Sequence, residues 1–373
     1  MKIGILGSRG IPNRYGGFEQ FAGELAKGLK QLGCEVYVYN SHNHPYQKSE
    51  WEGVKIIHKY DPEFRIGLSG QFIYDFNCIL DSRRRKFDVL LQLGYTTNSV
   101  WGFLLPRKAV KVCNPDGMEW QRSKYPAIIK RFLKRAEKWA VKSNDYLIAD
   151  SKVIQKYYQQ KYNKPTDYAA YPAEVLRNAD SEILKEYKVK PDRYNLLIAR
   201  MQPDNNIETI LAAYTVSQTD EPLLVIGNYE NSYGEYLKSN YTDSRIRFLG
   251  AIYKQDDLNN LRHFSHLYFH GHSAGGTNPS LLEAMACSAL VCAHDNPFNN
   301  SVLGQDAFYF KNTQELAELL LSAPDKEKHR LMLDNNREKI IKNYSPKQIT
   351  EAYYQVFKTL LEKKQTKTQY AQR

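Results

Sequence analysis

The segment HGHSAGGTNPSLLEAMAC, residues 270–287, combines small residues and a glutamate at a spacing that suits a sugar phosphate. A helix is expected to begin at Pro279 or Ser280, because proline is favoured in a first turn and Asn278 is a good cap. The loop before that helix would offer unpaired backbone N–H groups to an anion. The residues of this expected phosphate site are Gly275, Gly276, Thr277, Asn278 and Ser280.

Two charged residues could bind other parts of such a ligand. Glu283 lies one turn into the expected helix, where its carboxylate could accept hydrogen bonds from a sugar hydroxyl. The alternative is a solvated helix glutamate, which the apolar flanks LL and AMA make less attractive. Arg200 follows a strand expected over 196–199, where its guanidinium could bind a diphosphate through two hydrogen bonds. Taken alone, an ordinary surface arginine would look the same.

The same segment contains GHSAG, a literal match at Ser273 to the nucleophile elbow of a serine hydrolase. In an elbow the helix begins directly after the serine. Here two glycines follow, and then Pro279, which belongs in the first turn of a helix and not in its second. The hydrolase stays open as a minor alternative. Its available partners are His294 or His329 and Asp306 or Asp325.

The turn after the first expected strand, GSRGIPNRYGGFEQ, is rich in glycine and leads into a helix expected from Phe18. Gly7, Gly10, Gly16 and Gly17 would let the backbone approach a ligand closely at a helix N-terminus. The pattern is neither the dinucleotide fingerprint GxGxxG nor a Walker loop. The alternative is that these glycines only shape a turn.

Few other residues suggest chemistry. Asp116 follows an apolar strand and precedes Gly117, so it is expected on a turn at the rim of a site, although an ordinary Asp-Gly turn explains it as well. His270 and His272 have no matching histidine or cysteine pair, and there is no DxD motif. We therefore expect no metal and no bound cofactor.

Short apolar runs alternate with amphipathic stretches and then restart, which predicts an α/β protein with parallel sheets wrapped by helices. Two Rossmann-like domains facing a central cleft are expected, with ligand at the carboxyl ends of the strands. The expected strands are 2–6, 35–39, 89–93, 110–113 and 146–149, then 196–199, 223–226, 246–249, 267–269 and 290–293. The expected domains are 1–168 and 193–345, with a hinge over 169–192 and a helix and polar tail over 346–373.

The chain has 373 residues, 42% of them apolar, and 52 Lys and Arg against 41 Asp and Glu give a net charge of +11. The length and composition indicate a globular protein of two domains. The positive charge has two equally good interpretations, a basic surface that keeps the protein soluble or a polyanionic partner. Five scattered cysteines indicate neither a disulfide framework nor a zinc site and fit a reducing cytosol. We expect no signal peptide and no membrane span.

Much of the positive charge falls in the stretch SKYPAIIKRFLKRAEKWAVK, residues 123–142, and in Arg83 to Lys86. On a helical wheel, the basic residues fill one sector and apolar residues the other. Packing of the apolar face on the sheet with a solvated basic face is one interpretation. Attraction to anionic lipid is the other. The basic face consists of Lys130, Arg131, Lys134, Arg135, Lys138 and Lys142.

With these motifs in view, the chain resembles the retaining nucleotide-sugar glycosyltransferases of family 4, which have the GT-B fold, over nearly its whole length. The block from NPSLLEAMAC through DNPFNNSVLGQDAFYF resembles the donor-binding half of that family. GSRGIPNRYGGFE, DGMEWQRSKYP, ARMQPDNN and GHSAGGTNPSLLEAM resemble a bacterial subgroup that contains rhamnosyltransferases of capsule and cell-wall polysaccharide assembly. The resemblance implies that the chain's end crosses back to the first domain.

The resemblance also implies roles for single residues. Glu283 matches the glutamate that binds the nucleotide ribose, and Arg200 matches the arginine that neutralises the diphosphate. Asn205 stands where the wider family has a lysine, and Gly275 where it has a glutamate that contacts the donor sugar. Both departures weaken inference of the sugar from the wider family.

Two further positions belong to the first half of the chain. Gly16 and Gly17 match the glycine loop that approaches the donor phosphate and sugar, and Asp116 falls where many relatives carry a histidine at the reaction centre. The resemblance thus implies that Asp116 and Arg200 act in catalysis.

The resemblance implies transfer of a sugar with retention, most readily L-rhamnose from dTDP-L-rhamnose, with a UDP-hexose as the alternative donor. The implied acceptor is a polyprenyl-diphosphate-linked saccharide of capsule or cell-surface polysaccharide biosynthesis. The basic first half would then meet an anionic membrane, so a cytoplasmic protein peripheral on the inner face of the cell membrane is expected. No nucleic-acid partner is expected. A GT-B module that holds glycan or lipid without turnover is a further alternative.

Overall fold

The structure is a computed structural model that describes residues 1–14, 16–122, 125–322 and 324–371. The chain forms two units. The first unit consists of Met1–Trp120, Pro126–Pro172 and Pro346–Arg373, and the second unit of Gln121–Tyr125 and Ala173–Ser345. The chain passes between them inside the expected hinge of 169–192. The short segment Gln121–Tyr125, which the sequence placed in the first domain, groups with the second unit.

The first unit contains an eight-stranded sheet with strand order β3-β4-β2-β1-β5-β6-β7-β8. Neighbouring strands are parallel, except that the short edge strand β3 runs antiparallel to β4. The strands are β1 (Lys2–Leu6), β2 (Glu35–Ser41), β3 (Glu50–Trp51), β4 (Val54–Lys59), β5 (Val89–Leu93), β6 (Val110–Asn114), β7 (Tyr146–Ala149) and β8 (Thr166–Tyr168). Near-continuous apolar burial along β1 and β5 is what a parallel sheet covered on both faces requires.

Helices connect these strands. They are α1 (Gly17–Gln31), α2 (Glu63–Ile66), α3 (Gly70–Arg85), α4 (Ala127–Ser143) and α5 (Lys152–Tyr162), with 3₁₀ turns at Gly67–Ser69, Asn98–Leu104 and Glu119–Gln121. In α1, Phe21, Leu25 and Leu29 recur at helical spacing and are buried, so one stripe of the helix packs on the sheet. The α5 helix begins where the Ser151 hydroxyl accepts a hydrogen bond from the backbone N–H of Val153.

The second unit contains a six-stranded sheet with strand order β11-β10-β9-β12-β13-β14, and its neighbouring strands are parallel. The strands are β9 (Asn195–Ile198), β10 (Leu223–Ile226), β11 (Ile246–Gly250), β12 (Tyr268–His270), β13 (Val291–His294) and β14 (Phe308–Phe310). The order of strands reverses between β9 and β12. The loops that follow these two strands therefore lie side by side, at the place where open α/β sheets bind ligands.

The helices of the second unit surround that sheet. They are α6 (Ile207–Val216), α7 (Ser232–Asn240), α8 (Gln255–His263), α9 (Pro279–Ala286), α10 (Pro297–Leu303), α11 (Thr313–Ser322) and α12 (Arg330–Lys339), with 3₁₀ turns at Ser181–Lys185 and Pro203–Asn205 and a π-helical segment at Ile340–Tyr344. Leu197, Val225 and Phe269 of the strands pack with Ile210 and Leu316 of the helices in one buried core. The predicted α/β architecture with two parallel sheets is confirmed.

The last helix, α13 (Pro346–Ala371), belongs to the first unit. Tyr353 of α13 is buried, and its hydroxyl accepts a hydrogen bond from the Asn114 amide at 2.9 Å. The polar tail expected at the end of 346–373 is helical as far as Ala371, because α13 continues to that residue.

Two general features concern the whole described chain. All five cysteines are buried and none is in a disulfide. Within residues 1–14, 16–122, 125–322 and 324–371, no helix has both the length and the apolar character needed to cross a bilayer.

Two glycines of α1 allow a test of the packing of α13 in the first unit. A Cβ on Gly28 would lie 2.3 Å from the Thr350 hydroxyl, whereas a Cβ on Gly23 would meet its nearest neighbour, Trp51, at 3.6 Å. We expect Gly28→Ala to lower the free energy of unfolding by about 1–3 kcal/mol through overpacking. Gly23→Ala should raise it by about 0.5–1 kcal/mol through helix propensity. Urea denaturation measures both, and equal effects of the two substitutions would contradict the packing.

Candidate functional site

The loops after β9 and β12 are joined into one site in the second unit. The Asn206 amide donates a hydrogen bond to the Gly271 carbonyl at 2.7 Å. The backbone N–H and the hydroxyl of Ser273 both donate to the Asp204 carbonyl, at 3.0 and 2.9 Å. A Cβ on Gly271 would lie only 2.1 Å from the Asn205 carbonyl oxygen. Glycine at 271 therefore allows the two loop backbones to meet.

Arg200 lies just beyond β9, and its side chain is exposed. The Asn205 amide donates a hydrogen bond to the Arg200 carbonyl at 2.7 Å, and Asn205 itself is buried. Asn205 therefore holds the backbone that carries Arg200, while the guanidinium is available to an anion. This is a different contribution from that of a lysine, which would add a second charge.

The start of α9 is as the sequence predicts. The helix begins at Pro279, and the Asn278 side chain accepts a hydrogen bond from the Ser280 backbone N–H at 3.0 Å. Gly275 has φ of +118°, and a Cβ there would meet nothing within 4 Å. Its neighbour Gly276 is half-buried. A glutamate at 275 would have space, but it would strain a backbone that favours glycine.

Ser280 and Glu283 are each in contact with a side chain from a neighbouring element. The Tyr268 and Ser280 hydroxyls are 2.9 Å apart. Glu283 Oε2 accepts a hydrogen bond from Arg262 Nη2 at 2.5 Å, and Arg262 is buried. The alternative of a solvated glutamate is therefore wrong. The sequence analysis missed Arg262. The feature that could have indicated its burial is its position next to the apolar Leu261 in α8.

Several polar atoms around these loops are buried and have no hydrogen-bond partner among the described residues. Buried polar groups in proteins are nearly always paired, so a cluster of unpaired ones indicates a place that a ligand or water completes. The cluster includes a threonine that is 3% exposed at the α9 N-terminus. Its atoms are Gln202 Oε1, Asp204 Oδ1, both ring nitrogens of His270, His272 Nδ1 and Thr277 Oγ1.

His270 and His272 stack with ring centroids 4.4 Å apart and planes 11° apart. Burial lowers the pKa of His270 to about 3. Burial, then the neighbouring His270 and the charges of Arg200 and Arg122, hold the pKa of His272 far below its usual range. Both imidazoles are therefore neutral at neutral pH, so the positive charge of this site comes from arginine.

Arg122 is a further arginine of the second unit that sequence reasoning missed. Its Nη1 lies 3.4 Å from Asp204 Oδ2, and both side chains are largely buried. Arg122 comes from the segment Gln121–Tyr125, which groups with this unit. Its signal is its place in DGMEWQR, six residues after Asp116.

The geometry of Ser273 does not match a nucleophile elbow. Its hydroxyl donates to the Asp204 carbonyl, and the helix begins six residues later at Pro279. Asp306, one of the acids considered for a triad, accepts hydrogen bonds from Lys339 at 2.6 Å and Asn335 at 2.8 Å. The interpretation of GHSAG as a hydrolase motif is therefore not supported.

In the first unit, the glycine-rich turn after β1 contains the residues predicted to approach a donor. Gly16 caps α1 with an extended backbone, and Gly17 is the first residue of the helix. The positions that require glycine are Gly7 and Gly10, which have φ of +97° and +128°. A Cβ on Gly7 would lie 2.1 Å from the Leu93 carbonyl oxygen. Close packing of the turn on β5 thus explains Gly7.

Asp116 occupies a tight turn after β6 in the first unit, with φ of +56°. Its backbone N–H donates to the Asn114 side chain, and its Oδ1 accepts a hydrogen bond from the buried Tyr171 hydroxyl at 2.9 Å. Tyr171 therefore orients the carboxylate, a contact that the sequence did not reveal. Asp116 and Arg200 belong to different units.

The basic face of α4 is exposed as predicted, but the apolar face of the helix differs from the prediction. Its basic residues are largely exposed, and Lys134 lies over the Trp120 ring at 4.5 Å. The apolar sector, however, is not wholly packed on the sheet, because Ile128 is 67% exposed and Trp139 is 41% exposed. The buried stripe instead includes Glu137, which accepts a hydrogen bond from Trp120 Nε1 at 2.8 Å.

Comparisons with known proteins identify the second unit. Residues 180–340 match the family described as glycosyl transferases group 1, and residues 1–174 match a domain of unknown function, DUF1972. The chain carries a group 1 glycosyl transferase domain. No curated protein sequence matches the chain significantly. The match supports a glycosyltransferase function.

Solved structures of glycosyltransferases resemble the whole chain. Sucrose-phosphate synthase from Thermosynechococcus elongatus has a TM-score of 0.77 at 15% identity, covering 97% of this chain and 99% of its own. HepE from Anabaena, in complex with UDP and glucose, has a TM-score of 0.75 at 16% identity, covering 96% and 99%. A glycosyltransferase from Rickettsia africae has a TM-score of 0.70 at 13% identity, covering 96% and 98%. The fold of the chain is GT-B, as predicted.

The neutral state of His270 gives the group 1 domain a testable acid sensitivity. An unfolded histidine binds a proton below a pH of about 6.5, whereas the folded His270 resists protonation down to a pH of about 3. Its contribution to stability is therefore lost as pH falls from 6.5, by about 2 kcal/mol at pH 5. We expect His270→Phe to flatten the dependence of the unfolding free energy on pH, measured by urea denaturation at pH 5 and 8. Parallel curves for variant and wild type would contradict this.

Proposed function

We propose that the protein transfers L-rhamnose from dTDP-L-rhamnose, with retention, to a polyprenyl-diphosphate-linked saccharide in cell-surface or capsule polysaccharide biosynthesis. One observation carries the donor site: Arg200 and the N-terminus of α9 follow neighbouring strands at the reversal of strand order in the group 1 domain. An exposed guanidinium and a helix N-terminus are both suited to a diphosphate. The unpaired buried atoms around them support the same place.

The choice of donor sugar rests on the resemblance of GSRGIPNRYGGFE, DGMEWQRSKYP, ARMQPDNN and GHSAGGTNPSLLEAM to rhamnosyltransferases. Position 275 does not select the sugar, because Gly275 lacks the carboxylate of the wider family and rhamnose and glucose both present ring hydroxyls. A UDP-hexose is the alternative donor, since HepE from Anabaena is described in complex with UDP-glucose.

The proposed reaction needs no protein nucleophile. The bond between the sugar C1 and the leaving phosphate breaks, the acceptor hydroxyl oxygen bonds to C1 on the same face, and the leaving phosphate takes the acceptor proton. The main contribution of the protein is then to stabilise negative charge on that phosphate. Arg200 and the N–H groups before α9 supply this stabilisation, and Asp116 is proposed to act on the acceptor side. No metal ion or cofactor is part of the proposal.

The acceptor would be reached at an anionic membrane through one face of the first unit. Phe72 of α3 and Phe132 of α4 are in ring contact at 6.0 Å, so the two helices share that face. The Arg83 guanidinium donates to the Leu104 carbonyl at 3.2 Å. This contact places the basic residues Arg83 to Lys86 beside the 3₁₀ turn that contains Phe103. Phe103 is 78% exposed. Exposed apolar side chains beside basic ones are typical of an interfacial surface.

Two substitutions at the donor site test the enzymatic proposal. We expect Arg200→Ala and Glu283→Gln each to reduce transfer roughly tenfold or more, because each removes a charge-assisted hydrogen bond to the donor. Arg193→Ala is the matched control, since Arg193 is an exposed arginine before the same strand, β9. Mass spectrometry of product formation from dTDP-L-rhamnose and UDP-glucose with a polyprenyl-diphosphate sugar measures the rates.

Other outcomes of that assay would change the donor site, the donor sugar or the type of activity that we propose. Near-normal transfer in both variants would contradict the donor site. Product with UDP-glucose alone would favour the alternative donor, and donor binding without transfer would favour a non-catalytic module. Ester cleavage that Ser273→Ala abolishes would restore the hydrolase.

A second prediction concerns the membrane face. We expect the protein to sediment with vesicles that contain phosphatidylglycerol, and to bind more weakly as salt rises because exposed charges are screened. The double variant Phe103→Ser and Ile128→Ser should weaken binding roughly tenfold or more through lost apolar burial. Leu321→Ser is the matched control, because Leu321 is equally exposed but lies in the second unit. Sedimentation that is indifferent to anionic lipid and salt would refute the surface.

A further inference from the structure

The ion pair between Arg262 and Glu283 is asymmetric in its exposure to solvent. The Arg262 side chain is 2% exposed and that of Glu283 is 19% exposed. Arg262 lies on α8 and Glu283 on α9, so the pair bridges two helices of the group 1 domain. One oxygen of the carboxylate, Oε2, is engaged by Arg262 Nη2 at 2.5 Å. No contact within the described residues engages the other oxygen, Oε1.

The placement of Arg262 is costly without a partner. A guanidinium removed from water is tolerated only when it is paired and hydrogen-bonded. Besides Glu283, the Arg262 side chain contacts the Asn259 side chain, which accepts from Nη1 at 3.3 Å, and the Tyr268 hydroxyl, while its Nε has no partner among the described residues. Of these contacts, the one with Oε2 is the contact that restrains the Glu283 carboxylate.

We propose that Arg262 is a positioning residue that orients the Glu283 carboxylate, so that Oε1 accepts a hydrogen bond from the 3′-hydroxyl of the donor nucleotide, the free hydroxyl that ribose and the 2′-deoxyribose of dTDP share. The inference rests on the proposed function, because it requires a nucleotide at Glu283. Arg262 contacts no donor atom itself. A glutamate in the middle of a helix has several rotamers, and a buried hydrogen bond to one oxygen selects among them before the ligand arrives.

This role is distinct from that of a group that only stabilises the helix pair. If Arg262 only stabilised the helix pair, its removal would unfold or distort a fraction of the protein molecules. Binding of every nucleotide would then weaken by the same factor. A group that orients the acceptor of one hydroxyl changes the preference for ligands that carry that hydroxyl. The ratio of two affinities therefore separates the roles, since general damage to the site cancels in it.

The experiment measures dissociation constants by calorimetry for UDP and dTDP and for the 3′-deoxy analogue of each. We expect the wild type to prefer the hydroxyl-bearing nucleotide roughly tenfold or more, as a charge-assisted hydrogen bond implies. Glu283→Gln and Arg262→Met should both reduce this ratio to within about threefold of one. Arg262→Lys, which keeps the charge, should retain part of the preference.

Arg245→Met is the matched control. Arg245 is a half-buried arginine of the same unit that binds Asp243 at 2.7 Å and the carbonyls at the end of α6, far along the chain from the loops of the site. It should lower the melting temperature and leave the ratio unchanged. A ratio retained in Arg262→Met but lost in Glu283→Gln would overturn the positioning role and leave the proposed function intact. A wild type that binds both nucleotides without preference would overturn the positioning role alone, and a wild type without nucleotide binding would overturn both.

Discussion

The contact of two loop backbones, at Gly271 and Asn205, is the constraint on which the candidate site depends. A side chain at 271 would collide with the Asn205 carbonyl, and the loops after β9 and β12 would separate. Because strand order reverses between these two strands, no helix crosses between their carboxyl ends, and the loops can meet. The hydrogen bonds of Asn206 and Ser273 then fix the register of one loop on the other. This contact between the two loops therefore fixes the position of Arg200 relative to the N-terminus of α9.

The electrostatics of the site follow from burial. The stacked imidazoles of His270 and His272 are neutral, because solvation of an imidazolium is not available there. Two more cations at this point would repel Arg200 and Arg122 and would make the site sensitive to pH in the range in which histidine ordinarily titrates. Guanidinium groups in general stay protonated throughout the pH range in which histidine titrates. Positive charge at this site thus comes from guanidinium groups, while the histidines contribute shape and unpaired nitrogen atoms.

Sequence patterns predict the parts of this structure that obey local rules. Apolar runs predict ten of the strands in the described residues but miss β3, β4, β8 and β14. Asn278 with Pro279 predicts the first residue of α9, because a cap and a proline act within one turn. The contacts of Arg262 with Glu283 and of Tyr171 with Asp116 are not predictable in that way, because they join positions 21 and 55 residues apart. The role of Gly271 is equally hidden, since only the crossing of two loops makes its missing side chain necessary.

The surface of α4 shows a different reason for failure of a local rule. A helical wheel assigns one buried and one solvated sector, and Ile128 and Trp139 fall in the apolar sector. A helix that packs on other helices buries a narrower stripe than the wheel suggests, and in α4 that stripe includes Glu137, whose carboxylate is satisfied by Trp120 and tyrosine hydroxyls. Part of the buried surface of α4 is therefore formed by Glu137 and its hydrogen-bond partners. Ile128 and Trp139, at the edges of that surface, stay exposed. Exposed apolar groups beside cations are unfavourable in water and become favourable at a lipid interface, so the departure from the simple pattern is itself the argument for a membrane-facing surface.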